Sequence, residues 1–171
     1  MVMWKKLKRI LKHRWLDESD AHRAVPPELL QRLARRVSAS EQRHSGEVRI
    51  YVESGLPWSY LWRNAGSRQR AVTLFGKLRV WDTEHNNGVL IYLLLADRAI
   101  ELVADRGLNR VVSPEQWQAM VKNLGAALKE ARYEDGLTQA LEEVSAVLVQ
   151  HFALAQGETR RNELPNEPIV G

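Results

Sequence analysis

Four acidic side chains are the residues of this chain whose types and positions favour metal chemistry. They are Glu53, Asp97, Glu134 and Asp135. Carboxylate oxygens are the ligands that hard cations such as Ca²⁺ and Mg²⁺ prefer. Arg98 and Arg68 are available to contact an anionic group or a partner. The sequence therefore predicts a Ca²⁺ or Mg²⁺ site at these carboxylates if the fold brings them together.

The same aspartates also have ordinary structural roles open to them. Aspartate is common in turns and at helix N-termini, so Asp97 can shape a turn and Asp135 can cap the last helix. The chain has no cysteine, which excludes disulfides, thiolate metal sites and cysteine nucleophiles. It also lacks an Asp-x-Asp pair and a phosphate-binding glycine loop. Phosphatase chemistry would therefore need a metal-activated water.

A continuous apolar run at residues 89 to 96 indicates the strand around which the fold is built. Because the run does not alternate, it is typical of a strand that helices cover on both faces. After the Asp97-Arg98 turn, apolar and polar residues alternate up to Asp105, which predicts an antiparallel return strand. Residues 47 to 53 alternate in the same way. A helical pattern at residues 67 to 84 connects that strand to the apolar run, so these two strands should be parallel.

The other segments predict helices that cover this sheet. Pro26-Pro27 can open one helix, and Ser113 with Pro114 and Gln116 opens another that runs to about residue 131. Residues 133 to 136 should interrupt the helical structure before a final helix that ends near Phe152. The predicted fold is a single-domain α/β protein at residues 25 to 154, a mixed β-sheet sandwiched between helices in three layers. Residues 155 to 171 contain glycine and prolines and few apolar residues, which predicts a disordered tail.

This topology predicts how the four carboxylates meet. Glu53 and Asp97 follow the carboxyl ends of the two parallel strands, the edge where open α/β sheets bind ligands. The return strand carries the chain to the opposite end of the sheet. The helix over residues 114 to 131, about 27 Å long at 1.5 Å per residue, should bring Glu134 and Asp135 back to the first end.

The first 16 residues form a basic amphipathic segment, which a linker to residue 24 joins to the domain. Its apolar arc holds Met3, Trp4, Leu7, Ile10, Leu11 and Trp15, and its polar arc holds Lys5, Lys6, Lys8, Arg9, Lys12 and His13. This pattern is typical of a helix that lies on an anionic membrane, with Trp4, Lys5, Lys6, Lys8, Arg9, Lys12 and Trp15 as its contacts. The alternatives are an apolar arc packed on the domain or on a partner, and a nucleic-acid contact. The net charge of +4 comes from this segment, and the rest of the chain is slightly acidic, so we expect no nucleic-acid partner.

The region from Asn87 to Gly136 resembles the TPM-domain family. The resemblance rests on Asn87-Gly88-Val89 before the apolar strand, Asp97-Arg98 at the turn, Gly107-Leu108, and the run from Tyr133 to Leu137. It implies a mixed sheet between helices, divalent-metal binding as in bacterial members and acid phosphatase activity as in some photosynthetic ones. Many relatives are exported and carry a C-terminal membrane helix. Neither signal is present here, so a cytoplasmic bacterial member is expected.

Two functions from different classes follow from these patterns. The first is a non-catalytic binding or accessory module, with a bound divalent metal, that acts at the cytoplasmic face of the membrane through a protein partner. The second is a metal-dependent acid phosphatase that hydrolyses phosphomonoesters. In both, the carboxylate site is the feature that the structure has to provide.

Overall fold

A computed structural model describes residues 2–171, so Met1, the first residue of the predicted membrane segment, lies outside the described residues. The helices of this part of the chain are α1 Val2–Trp15, α2 Glu18–Ala24, α3 Pro27–Glu41, α4 Trp58–Trp62, α5 Ser67–Lys77, α6 Arg106–Asn109, α7 Pro114–Lys129 and α8 Tyr133–Phe152. Its strands are β1 Val48–Glu53, β2 Val89–Leu94, β3 Ala99–Ala104 and β4 Ile169–Val170.

The strands form one mixed sheet in the order β3-β2-β1-β4. β1 runs parallel to β2 and to β4, whereas β2 and β3 are antiparallel. Every residue of β2 is buried, as its unbroken apolar sequence requires for a strand covered on both faces. The predicted parallel pair and antiparallel return strand are therefore confirmed.

Side-chain alternation divides the sheet into two packed faces. Val48, Ile50 and Val52 of β1 belong to the larger core, which also contains residues of α2, α3, α7 and α8. Tyr92 of β2 belongs to the smaller core on the other face, with residues of α4 and α5. This arrangement confirms the single-domain sandwich of a mixed sheet between helices.

Three helices differ from their predicted extents. Residues 18 to 24, predicted to be linker, form α2, because Asp17 and Asp20 make a reciprocal capping box and Ala21 is fully buried in the larger core. α5 ends at Lys77, short of the predicted residue 84, since the chain turns through Arg79 with a positive φ of 56°. The predicted interruption at residues 133 to 136 is wrong, because these residues are the first turn of α8.

The last residues of the chain, for which the sequence predicts a disordered tail at residues 155 to 171, contact the domain at several points. Glu47 is fully buried and accepts hydrogen bonds from the guanidinium of Arg160 and from the backbone N–H groups of Glu163 and Leu164. Beyond this point β4 pairs with Tyr51 and Val52 of β1. The segment, which we call the C-terminal strap, is held by a buried carboxylate that local sequence patterns do not reveal.

Replacing Arg160 should destabilise the protein. In the Arg160→Met variant, Glu47 keeps its backbone donors but loses its compensating charge, and leaving a buried charge unpaired costs about 3 kcal/mol. Chemical denaturation monitored by circular dichroism measures this loss of unfolding free energy. Arg161→Met is the matched control, because Arg161 is exposed and adjacent, and it should change stability by less than about 0.5 kcal/mol. Equal effects of the two substitutions would contradict the role of the buried pair.

Candidate functional site

The N-terminal helix is held on the domain by its polar side. His13 is only 3% exposed and makes a hydrogen bond at each ring nitrogen. Its Nδ1 accepts the N–H of Leu56 at 3.1 Å, so Nε2 carries the proton that it donates to Oδ1 of Asp97, also at 3.1 Å. Arg9 donates to Oδ1 of Asn64 at 3.0 Å. Within the apolar arc of this helix, Ile10 packs against the smaller core, whereas the alternative that the arc as a whole packs on the domain is wrong for the other five residues.

Five of the six residues of the apolar arc of α1 face solvent as a consequence, and the sixth, Ile10, is partly buried. Its exposed fractions are 84% for Met3, 65% for Trp4, 46% for Leu7, 52% for Leu11 and 84% for Trp15. We call these five residues the apolar stripe. The exposed basic residues Lys5, Lys8 and Arg14 lie on the same helix, whose sequence contains no acid. An amphipathic helix in this orientation presents apolar and positive groups together.

A pair of tryptophans extends the exposed apolar surface beside α1. Trp58 and Trp62 of α4 are 53% and 63% exposed, and their rings stack with centroids 5.9 Å apart. The ammonium of Lys6 lies 4.8 Å from the centre of the Trp62 ring. Tyr60 and Leu61, between the two tryptophans in sequence, are buried in the smaller core. The aromatic segment from Trp58 to Trp62 is thus partly core and partly exposed surface.

The loop after β1 brings α1 close to the domain. A Cβ atom on Gly55 would lie 2.5 Å from the carbonyl oxygen of His13. Real Cβ atoms do not approach a backbone oxygen so closely, so only glycine allows α1 to sit at this distance. Asp97 contacts α1 at a second residue as well, because Nζ of Lys12 lies 3.4 Å from its Oδ1. The hydrogen bond from His13 is the main reason why the pKa of Asp97 lies below its ordinary value.

Glu53, predicted to share a metal with Asp97, is engaged on the α4 and α5 side of the sheet. It follows Val52 and therefore faces away from the larger core. Nη2 of Arg70 lies 2.6 Å from Oε1 of Glu53, and the hydroxyl of Tyr92 donates to Oε2 at 2.7 Å. Burial, followed by the charge of Glu53, raises the pKa of Tyr92. Glu53 is thus one member of a buried ion pair with a neutral tyrosine beside it.

Glu134 and Asp135 lie on the other side of the sheet, in the first turn of α8. Arg32 of α3 binds Glu134 in a two-pronged ion pair with distances of 3.0 and 2.9 Å, and Arg132 approaches Asp135 at 2.8 Å. Both acids line one cavity of about 280 Å³ between the start of α3 and the α7–α8 turn. Asp97 and Glu53 do not line this cavity.

The structure therefore keeps the predicted metal ligands in separate ion pairs. Within residues 2–171, no group of three or more histidine, aspartate or glutamate side chains is placed to hold a metal ion. As placed, these carboxylates do not fit one shared hard cation, and metal binding stays a prediction. The two predicted anion contacts are also apart: Arg98 donates to the carbonyl of Lys129 at 2.7 Å, whereas Arg68 donates to that of Leu102 at 2.6 Å.

Comparison with protein families identifies the domain. The family model described as the TPM domain matches residues 19–147, which is most of the chain. The chain belongs to the TPM-domain family. No curated protein matches the chain.

Two solved structures of bacterial proteins are similar to this TPM domain. The NMR structure of the BA42 protein from the psychrophilic bacterium Bizionia argentinensis has 25% sequence identity and a TM-score of 0.73, and the match covers 86% of this chain and 95% of BA42. The N-terminal domain of a protein from P. gingivalis, also solved by NMR, has 16% identity and a TM-score of 0.60. That match covers 82% of this chain and 94% of that domain, and it supports the fold alone.

The motif residues that carry the TPM resemblance have structural roles around the start of β2. Nδ2 of Asn87 donates to the hydroxyl of Ser45 at 3.0 Å. A Cβ on Gly88 would lie 2.0 Å from the carbonyl oxygen of Val80, and one on Gly107 would lie 2.4 Å from that of Asn86. These positions let backbone segments approach closely, so the motif positions the strand and its loops.

A methyl group at Gly55 should weaken the docking of α1. The added Cβ of Gly55→Ala forces the helix away from the loop, and such overpacking costs about 1 to 3 kcal/mol. We expect faster amide hydrogen exchange at Leu56, whose N–H loses the imidazole of His13. Gly76→Ala is the control, because a methyl group added there would meet no atom within 4 Å and alanine favours helices. Unchanged exchange at Leu56 in Gly55→Ala would contradict the close approach.

The hydrogen bond that the Asp97 carboxylate accepts from His13 should stabilise the protein in a pH-dependent way. The folded-state pKa of Asp97 lies below the ordinary 3.8, so the stability that its carboxylate adds is present above that pH. It is lost as the pH falls through the folded-state pKa. The difference in unfolding free energy between the wild type and Asp97→Asn should therefore be largest near neutral pH and vanish in acid. The control Asp82→Asn breaks an exposed pair with Arg79 and should have little effect; a pH-independent Asp97→Asn difference would contradict this account.

Proposed function

We propose that this TPM-domain protein is a non-catalytic accessory module that binds an anionic membrane surface through α1 and serves a protein partner there. The observation that carries the proposal is the orientation of α1, whose polar side holds the domain while its apolar stripe faces solvent. Among the described residues, seven of the ten large apolar side chains that are exposed belong to α1 or α4. Exposed apolar surface concentrated in this way is typical of an interaction site.

The arrangement of the tryptophans favours a helix that lies flat on the surface. Trp4 and Trp15 are on the same side of α1, separated by eleven residues or about 16 Å at 1.5 Å per residue. Tryptophan prefers the interface between lipid headgroups and acyl chains. With both ends of the stripe at that depth, the domain, attached to the opposite side of the helix, stays in water.

Charge and preorganisation support the same surface. Lys5, Lys8 and Arg14 are exposed, and each basic residue near an anionic leaflet contributes about 1 kcal/mol. A short helix alone would lose part of this gain to the cost of ordering itself. Here the contacts of His13 and Arg9 already hold the helix in shape, so more of the binding energy is available. The anionic leaflet that faces the cytoplasm fits this charge pattern.

No helix in the described part of the chain is long and apolar enough to cross a bilayer. Contact through the face of α1 needs no such helix. The alternative, a metal-dependent phosphatase, has less support, because each of the four predicted ligands is paired with a basic side chain. Membrane binding therefore has more support than phosphatase activity.

Polar substitutions in the apolar stripe should weaken vesicle binding without unfolding the protein. In the double variant Leu7→Gln with Leu11→Gln, the loss of two apolar side chains from the interface should weaken binding at least about tenfold, since a fully buried leucine contributes about 1.5 to 3 kcal/mol. Flotation with vesicles that contain phosphatidylserine measures the bound fraction. The folded domain should be unchanged in circular dichroism, because both leucines face solvent.

The matched control is the double variant Val72→Gln with Val111→Gln. These valines are 50% and 47% exposed, similar to the two leucines, but lie outside α1 and α4. The control protein should float like the wild type, and flotation of both should decline with added salt. If the wild type does not float, or if the α1 variant floats equally well, the membrane proposal is wrong.

A further inference from the structure

The outer edge of β3 offers backbone hydrogen-bonding groups to a cleft. Asp105 donates its N–H to the carbonyl of Gly88, which makes these two a hydrogen-bonded pair of the β2–β3 ladder. Because such pairs alternate along antiparallel strands, the N–H and C=O groups of Leu102 and Ala104 point away from β2. β3 is the last strand of the sheet on this side, so these groups face outward.

Two side chains bind the carbonyl oxygens of this edge but not its outward N–H groups, and Leu102 lines the cleft beside it. Arg68 donates to the carbonyl of Leu102 at 2.6 Å, and Asn109 donates to that of Ala104 at 2.8 Å. Both side chains supply donors only in these contacts. The backbone of an added strand would supply donors to the same oxygens and acceptors to the N–H groups. The backbone of an added strand can therefore pair with both the C=O and the N–H groups of this edge, which side-chain donors alone cannot do.

The cleft beside this edge has the size and lining to hold such a strand. Its volume is about 600 Å³, and it lies between the start of α5 and one side of α7. Trp117 and Val121 of α7 form an apolar wall, and Arg68 of α5 forms a basic one. Lys122 adds a second positive charge at the rim. Glu101 lies at the same wall, where Ser67 donates to it at 2.6 Å and Arg68 approaches it at 3.9 Å, so the cleft keeps a net positive charge through Lys122.

We propose that this cleft binds an extended peptide segment of a partner protein as an additional strand beside β3. Side chains of a strand alternate between the two faces of a sheet. One set would contact Trp117 and Val121, and the other set would face Arg68. The peptide class is therefore one in which apolar residues alternate with acidic residues. This inference deepens the proposed function, because it gives the chemistry of the protein partner that the function requires.

A second copy of this chain fits the edge less well than a single peptide. α5 and α7 both pack along β3 and line the two sides of the cleft. The β3 edge of another copy would arrive with its own pair of helices, which would meet those walls. A single strand carries no such helices and can enter between them.

The probe that tests this proposal is a synthetic peptide of about seven residues with blocked ends that alternates valine and glutamate. It is titrated into the full-length ¹⁵N-labelled protein without vesicles, so failure here leaves the membrane proposal standing. We expect saturable shifts of the amide signals of Leu102 and Ala104. The same peptide with N-methyl groups at alternate amides should not produce them, because it cannot donate to β3. An alternating valine-lysine peptide should bind more weakly.

Arg68→Gln supplies the matched mutational test. Glutamine keeps an N–H donor but removes the charge, so affinity for the glutamate peptide should fall about threefold, as expected for an exposed charge pair. Arg35→Gln removes the same charge from α3, beside the opposite edge of the sheet, and should leave affinity unchanged. Absence of shifts at millimolar peptide, or equal shifts with the N-methylated peptide, overturns the proposal. Shifts of the same amides with protein concentration alone would assign the edge to self-association and also overturn it.

Discussion

The buried imidazole of His13 determines how this protein presents itself to other molecules. A polar ring in the interior is destabilising unless its nitrogens find partners. Here one nitrogen accepts from the backbone of Leu56 and the other donates to Asp97. This pair of bonds fixes the rotation of α1 about its own axis, and the apolar stripe is then necessarily directed to solvent.

The acidic residues predicted to share a metal each have a basic partner of their own in the fold. Asp97 pairs with His13 of α1, and Glu53 pairs with Arg70 on one face of the sheet. Glu134 pairs with Arg32 of α3, which packs on the opposite face. A shift of the strand register by two residues would not change this, because side chains alternate along a strand and each would stay on the same face of the sheet. The fold leaves the apolar stripe of α1 and the cleft beside β3 accessible.

Sequence patterns predict the parts of this structure that burial alone determines. The continuous apolar run required a doubly covered strand, and β2 is that strand. The position of Glu53 one residue after Val52 already indicated that it faces away from the larger core, which was the available signal against a shared site. Likewise, Asp17 and Asp20 at capping-box spacing were a local signal for α2.

Two features could not be read from local patterns. The rule that apolar faces turn inward fails for α1, because a single histidine and a close glycine contact outweigh the stripe in setting its orientation. The C-terminal strap depends on the contact between Glu47 and Arg160, which lie far apart in sequence. Contacts of this kind arise only once the rest of the domain has placed both partners.

The central claim is that the apolar stripe of α1 is free in water and enters the anionic interface. The chain has no cysteine, so a nitroxide on a single Leu11→Cys variant tests both halves of this claim by electron paramagnetic resonance. We predict a mobile label that a water-soluble nickel complex reaches in solution, and that oxygen reaches instead once phosphatidylserine vesicles are added. A label that is already immobile and shielded from nickel without vesicles, or one that vesicles leave unchanged, would contradict the account.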